Sequence, residues 1–366
     1  MRIMLFITGL GIGGAERQVA DLADEFVSRG HDVIIIALTG NTIVQPVSKK
    51  IQVVLLGMHK TPAGFISAYM RARKLIHDFS PDIVHSHMVH ANLFARLLRI
   101  TVPIPRLICT AHSTNEGGKL RMLAYRLTDR LADMSTNVSQ NAVDTFVKQH
   151  AVSAEKMFAM HNGIDTSKFR FNAENRQRIR SELGIDTNVQ VLLAVGRLAL
   201  AKDYPNLLRA FALLHSQSVN CVLWIVGAGS LEIELRSLAE SLGVIDKIHF
   251  WGLSHDIPRV MSGADILVLS SAWEGFGLVV AEAMACQRLV VATDAGGVRE
   301  VIGDVGWLVP IRDSEKLANA IKAATTIDAS ERLARGLAGR ARIKERYSLT
   351  AIAARWLNIY QGRYDA

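Results

Sequence analysis

Two carboxylates in one glycine-bearing segment, and a guanidinium five residues before an ammonium, are the groups in this sequence most able to do chemistry. In Trp273-Glu274-Gly275-Phe276-Gly277-Leu278-Val279-Val280-Ala281-Glu282, Glu274 sits in a loop loosened by glycines. Glu282 falls about one turn into the helix that follows. A helix start near Gly277 and Leu278 offers backbone N–H groups to a phosphate. Glu282 beside Ala281, Ala283 and Met284 is costly to bury unless something hydrogen-bonds it. A ribose diol is such a partner, whereas an isolated glutamate is more often a structural carboxylate.

Gly196 and Arg197 directly follow an apolar run, with Lys202 five residues after Arg197. Cations at the carboxyl end of a strand stand where doubly wound folds bind ligands. Together they could neutralise a diphosphate, Arg197 through its planar fork and Lys202 as a mobile charge. Near the N-terminus, Gly9-x-Gly11-x-x-Gly14 matches the dinucleotide fingerprint in form. That fingerprint wants a carboxylate closing the second strand, and here the strand ends Leu38-Thr39-Gly40. A flexible loop opening a helix remains, suited to an anion, and the dehydrogenase reading recedes.

These groups need a scaffold. Arg2–Thr8, Val33–Leu38, Ile51–Leu56, Asp82–His85, Leu107–Ala111 and Met134–Val138 are continuous apolar runs separated by amphipathic stretches. Such runs predict buried strands of a parallel sheet covered on both faces. The rhythm lapses between Asn162 and Ile185, around Arg176, Arg178, Arg180 and Glu182. It restarts with Val191–Val195, Val222–Val226, Ile248–Trp251, Ile266–Leu269 and Leu289–Ala292. The reading is α/β, with two Rossmann-like doubly wound parallel-sheet domains and an interdomain cleft. The domains span 1–180 and 181–347, and an amphipathic helix over 348–366 packs back towards the first. At 366 residues the chain has the length for two domains. With 49% hydrophobic and 21% charged residues it has material for their cores. The apolar Met1–Ile7 lacks a signal peptide's charge and cleavage pattern and reads as a strand. Three scattered cysteines fit neither a disulfide framework nor a zinc site and point to a reducing cytoplasm.

The order of these pieces resembles the retaining GT-B glycosyltransferases of family 4. The resemblance covers nearly the whole chain. Besides the segments above, it rests on Gly13-Gly14-Ala15-Glu16-Arg17, Thr110-Ala111-His112, Asn162-Gly163-Ile164-Asp165, Gly227-Ala228-Gly229, Gly252, Ala264-Asp265 and Gly296-Gly297-x-x-Glu300. It implies that Gly13 and Gly14 face the donor's phosphates and the acceptor, and that Arg197 and Lys202 bind the diphosphate. Glu282 would hold the ribose, and Glu274 with the backbone of Phe276, Gly277 and Leu278 the donor sugar. Backbone groups from Trp251 to Leu253 would meet the base, and His112 would lie against the transferred sugar. The catalytic set is then His112, Glu274, Arg197 and Lys202, with His85, His87 and His90 left to structural roles. Where the family commonly has Gly and Pro, this chain has Gln287 and Leu289, which predicts a changed local path.

No Asp-x-Asp occurs, so neither a divalent metal nor any other cofactor is expected, and Arg197, Lys202 and helix N-termini would carry the leaving group's charge. The resemblance implies a UDP-sugar donor and a same-face displacement in which a diphosphate oxygen takes the acceptor's proton. Residues 1–160 hold 18 Lys and Arg against 12 Asp and Glu, a larger share of the net +8 than the remainder holds. The stripe Leu120, Leu123, Ala124, Leu127 and Leu131 is flanked by Lys119, Arg121, Arg126 and Arg130. Phe65, Ile66, Tyr69 and Met70 precede Arg71, Arg73 and Lys74 in the same manner. Each reads equally as a basic amphipathic membrane-surface helix or as a core-facing stripe with a solvated edge. With the family, the former implies a lipid-linked or oligosaccharide acceptor, such as a polyprenyl-diphosphate-linked sugar in O-antigen, lipopolysaccharide or exopolysaccharide synthesis. It also implies peripheral contact with anionic lipid at the inner face of the cytoplasmic membrane. Nucleic acid is not an expected partner, for want of an aromatic-interleaved basic platform. A nucleotide-sugar epimerase of the same architecture and a non-catalytic nucleotide-sugar-binding protein are the alternatives.

Overall fold

A computed structural model describes residues 1–114, 116–254 and 256–363. The first sheet comprises β1 (Arg2–Ile7), β2 (Asp32–Ala37), β3 (Gln52–Leu55), β4 (Ile83–His87), β5 (Leu107–Ala111), β6 (Met134–Asn137) and β7 (Met157–Ala159). Its order is β3-β2-β1-β4-β5-β6-β7. The second comprises β8 (Gln190–Val195), β9 (Cys221–Val226), β10 (Ile248–Gly252), β11 (Ile266–Leu269), β12 (Leu289–Thr293) and β13 (Trp307–Val309). Its order is β10-β9-β8-β11-β12-β13. The pairings are parallel, and helices alternate with the strands. β7 and β13 extend the sheets beyond what the apolar rhythm marks, because three residues carry no periodicity.

β1 shows why the strands read as unbroken apolar runs. Ile3, Leu5 and Ile7 point to one face, against Val19, Leu22 and Phe26 of the helix Gly14–Ser28 and Trp356 and Ile359 of the helix Leu349–Tyr360. Met4 and Phe6 point to the other, against the helices Pro62–Phe79 and Val89–Leu98. All five are fully buried, each contributing about 1.5–3 kcal/mol by removal from water. In the second sheet, Leu192, Ala194, Ile266 and Val268 share a core with the helices Tyr204–Ser216 and Ser314–Thr326.

The chain divides into two compact units, one of Met1–Gly163 with Leu349–Ala366 and one of Ile164–Ser348. The division therefore falls at Gly163, not at 180, and a physical reason lies in the charged stretch that resembles a linker. It forms the helix Ala173–Glu182, and two of its arginines clamp onto the second sheet. Arg176 Nη2 donates to Asp265 Oδ1 at 2.6 Å and Arg180 Nη1 to Asp265 Oδ2 at 3.1 Å. Asp265 Oδ2 also accepts the Val191 N–H at 2.8 Å, and Arg180 Nη2 fills the carbonyls of Asp186 and Val189. Asp265 is only 7% exposed, so this is a buried, fully bonded charge cluster.

The helix Lys119–Thr128 does not bury its apolar stripe in the core. Its buried residues are Met122 and Tyr125, whereas Leu120, Leu123 and Leu127 are 83%, 48% and 71% exposed. On the helix Pro62–Phe79, Phe65 and Tyr69 pack against the core while Ile66 and Met70 face outward. No helix of the described residues is long and apolar enough to cross a membrane.

Removing Asp265 strands two arginines at a buried site. Asp265→Ala is expected to destabilise the second unit by about 3–5 kcal/mol in denaturant unfolding. Arg178→Ala breaks an exposed pair with Glu182 and is expected to cost under about 1 kcal/mol.

Candidate active site

In each sheet the strand order reverses once, between β1 and β4 and between β8 and β11. At such a point the loops leaving adjacent strands diverge to opposite faces, opening a crevice at the carboxyl edge. In the second unit, Gly196 and Arg197 leave β8, and Ser270, Ser271 and Glu274 follow β11. Lys202 Nζ donates to Glu274 Oε1 at 2.5 Å, and Ser271 Oγ donates to the same oxygen at 2.7 Å. Ser270 Oγ donates to the Lys202 carbonyl at 2.8 Å, and Tyr204 OH to the Gly196 carbonyl at 3.1 Å. A small pocket here is lined by Val195, Lys202, Tyr204, Leu269, Ser270 and Ser271. Burial, then the Glu274 charge, raises the Tyr204 phenol, which stays a neutral donor. Arg197 is exposed in the same loop.

Two glycines make this packing possible. Gly296 has φ +58°, and a Cβ there would lie 2.0 Å from the Glu274 carbonyl oxygen. Gly227 has φ +141°, and a Cβ there would lie 2.0 Å from the Gly196 carbonyl oxygen. The Glu274 and Arg197 loops are thus each held against bare backbone. Leu278 opens the helix Leu278–Ala285, with Gly277 preceding it. Glu282 is half-buried on that helix, while Phe276 anchors the loop by packing its ring edge-on to Tyr347, centroids 5.6 Å apart. At the outer strand β10 the pairing with β9 skips Trp251, a bulge that leaves its backbone outside the ladder. The Gly252 carbonyl is taken by the Gly227 N–H at 2.7 Å, so of the backbone groups assigned to the base that one is already engaged. Leu253 is exposed beyond it.

The other predicted residues lie in the first unit. Gly13 precedes the helix Gly14–Ser28, and a Cβ on it would lie 2.3 Å from Glu16 Oε2. The helix start offered to phosphate is thus already faced by the chain's own carboxylate. His112 follows β5, its Nε2 3.1 Å from Nδ1 of His87. The buried Glu116 carboxylate accepts the His112 N–H at 3.1 Å and a backbone hydrogen bond from Val89, fastening the His112 loop to the start of the helix Val89–Leu98. Between His87 and Val89, Met88 has φ +73° and ψ 155°, a conformation costing a non-glycine residue about 1–3 kcal/mol. Burial holds His112 down at about 4 and His85 and His87 well below 6.5, so all three are neutral.

Sequence reasoning did not place Ser271 beside Glu274, or His87 and Glu116 beside His112. A serine three residues before Glu274 and a glutamate four after His112 were usable signals; the histidine needed the strand order. At Gln287, where a changed path is expected, the chain forms a tight helix-ending turn. Gln287 takes φ +59°, Arg288 N–H donates to the Ala283 carbonyl and Gln287 N–H to Met284, a Schellman turn. The backbone is the one glycine favours, and the side chain bears its cost. Leu289 simply begins β12.

Comparison with known proteins matches the model described as Glycosyltransferase Family 4 to residues 12–168. The model described as Glycosyl transferases group 1 matches residues 175–341. The chain is 30% identical over 307 residues to the alpha-maltose-1-phosphate synthase of Mycolicibacterium smegmatis, spanning 76% of this chain and 78% of that protein. It is 26% identical over 339 residues to the N-acetylgalactosamine-N,N'-diacetylbacillosaminyl-diphospho-undecaprenol 4-alpha-N-acetylgalactosaminyltransferase of Campylobacter jejuni, spanning 88% and 89%. Among solved structures, HepE of Anabaena in complex with UDP has TM-score 0.85 at 22% identity, over 99% of this chain and 100% of that one.

Gln287→Gly is expected to stabilise the second unit by about 1 kcal/mol in denaturant unfolding, by relieving the left-handed strain. The buried histidines set an acid dependence. The unfolded chain binds protons near pH 6.5 that the folded His112 refuses until about 4. Stability is therefore expected to fall as pH drops through that window. Thermal unfolding across it should show a shallower slope in His112→Gln.

Proposed function

Because the chain belongs to the GT-B glycosyltransferases of family 4, we propose that it moves a sugar from a UDP-sugar to a polyprenyl-diphosphate-linked glycan, retaining anomeric configuration and using no metal ion. The observation that carries this reading is the Lys202–Glu274–Ser271 cluster at the β8/β11 reversal, with Arg197 in the same loop. Lysine has three N–H donors, of which Glu274 takes one, and the others suit phosphate oxygens. Arg197 and Lys202 then stabilise the charge that develops on the departing diphosphate. Glu274 and the backbone after Phe276 hold the sugar's hydroxyls, and Glu282 the ribose. The bond from the anomeric carbon to the diphosphate oxygen breaks as the acceptor oxygen bonds on the same face, and the acceptor's proton passes to the diphosphate. Support for the donor comes from HepE, whose structures hold UDP and UDP-glucose. Support for the acceptor comes from the Campylobacter relative, whose name specifies a diphospho-undecaprenol substrate.

The exposed Leu120, Leu123 and Leu127, flanked by exposed Lys119, Arg126 and Arg130, suit an anionic bilayer surface. On this reading the enzyme works peripherally at the inner face of the cytoplasmic membrane, on a repeat unit of O-antigen or exopolysaccharide type.

The test is transfer from a UDP-sugar panel to a polyprenyl-diphosphate-linked acceptor with EDTA present. Lys202→Ala should lower kcat/KM about 10- to 150-fold, the loss of one charge-assisted contact in the transition state. A variant within twofold of wild type, or turnover abolished by EDTA and restored by a divalent ion, overturns the assignment. Anionic vesicles should co-float with the wild type and lose the double variant Leu120→Ser with Leu127→Ser.

A further inference from the structure

β4 carries three consecutive residues with unusual side chains for a buried strand, His85, Ser86 and His87, at the reversal of the first sheet. His85 is locked at both ring nitrogens, Nδ1 2.6 Å from Tyr360 OH and Nε2 2.7 Å from Thr110 Oγ1, which in turn lies 2.7 Å from Thr136 Oγ1. The His87 ring packs on it with centroids 4.0 Å apart and is itself 1% exposed. Its Nδ1 lies 3.1 Å from His112 Nε2, and its Nε2 meets no partner among the described residues.

Burial keeps both rings neutral, so one proton lies between His87 Nδ1 and His112 Nε2. If His112 were the donor, the His87 proton would sit on Nε2, a buried N–H with nothing to receive it. Orphaned buried N–H groups are rarer than under-used acceptors. The favoured arrangement has His87 Nδ1–H donating to His112 Nε2, which leaves His112 with its proton on Nδ1.

We propose that His87 is a positioning residue that fixes His112 as the Nδ1–H tautomer, a hydrogen-bond donor for a hydroxyl oxygen of the transferred sugar. The sugar contact rests on the transferase reading above; the tautomer does not. His85 holds the His87 ring from behind, and Glu116 holds the backbone of His112 from the other side.

Two substitutions separate this role from simple core packing. His87→Phe keeps a ring against His85 and removes the donor. His87→Asn loses the ring and keeps an amide N–H close to where Nδ1 stood. The expected result is a fall in kcat of about 10- to 100-fold for His87→Phe, with donor KM within about twofold, and substantial recovery in His87→Asn. Nitrogen-15 spectra of ring-labelled histidine, recorded without substrate, should show His112 as the Nδ1–H form in wild type and in His87→Asn, and as a mixture in His87→Phe. A His87→Phe enzyme within twofold of wild type, a His87→Asn enzyme no better than His87→Phe, or a His112 spectrum unchanged in His87→Phe overturns the proposal. A wild type without transferase activity would sink the transferase reading and leave the spectra to decide the tautomer.

Discussion

A parallel sheet that reverses its strand order has one place where neighbouring strands send their loops apart, and both sheets of this chain put candidate site residues there. In the second unit β8 delivers Arg197 and Lys202 while β11 delivers Ser271 and Glu274. In the first unit β1 leads into the glycine loop, and its neighbour β4 ends in His87. Neither set is contiguous in sequence. Lys202 and Glu274 are 72 positions apart, and the chain between them serves, in structural terms, to return to the strand next door.

Drawing such loops together creates a steric problem, and the chain solves it with missing side chains. Gly227 lies under the Arg197 loop and Gly296 under the Glu274 loop, each so close that a methyl group would overlap a carbonyl oxygen. Gly296 of the motif Gly296-Gly297-x-x-Glu300 therefore serves the Glu274 loop by its missing side chain. Opposite logic applies at Asp265, where charge is buried rather than excluded: two guanidinium groups and a backbone N–H satisfy one carboxylate and bind a helix to the sheet edge.

The strands of both sheets were legible because a strand covered on both faces must be apolar at every position, as β1 is. The cations after β8 and the carboxylates around the helix Leu278–Ala285 were legible because loop and helix-start chemistry is local in sequence. What stayed hidden depends on distant pairs. Arg176 and Arg180 look like solvated linker residues until Asp265, on the far side of three strands in sequence, is brought beside them. His87 looks like a core residue until β5 is known to neighbour β4 and to bring His112 within reach. The outward turn of Leu120, Leu123 and Leu127 was equally undetermined, since a stripe carries no record of which way it faces.

The first unit is discontinuous: the helix Leu349–Tyr360 supplies Trp356, Ile359 and Tyr360 to a core otherwise built from residues before Gly163. During synthesis the ribosome therefore makes most of this unit early and its closing helix only after the whole second unit. Until then one face of the nascent sheet keeps apolar positions uncovered and His85 lacks its Tyr360 hydroxyl. The histidine chain thus gains its Tyr360 partner only once the last helix of the molecule has been made.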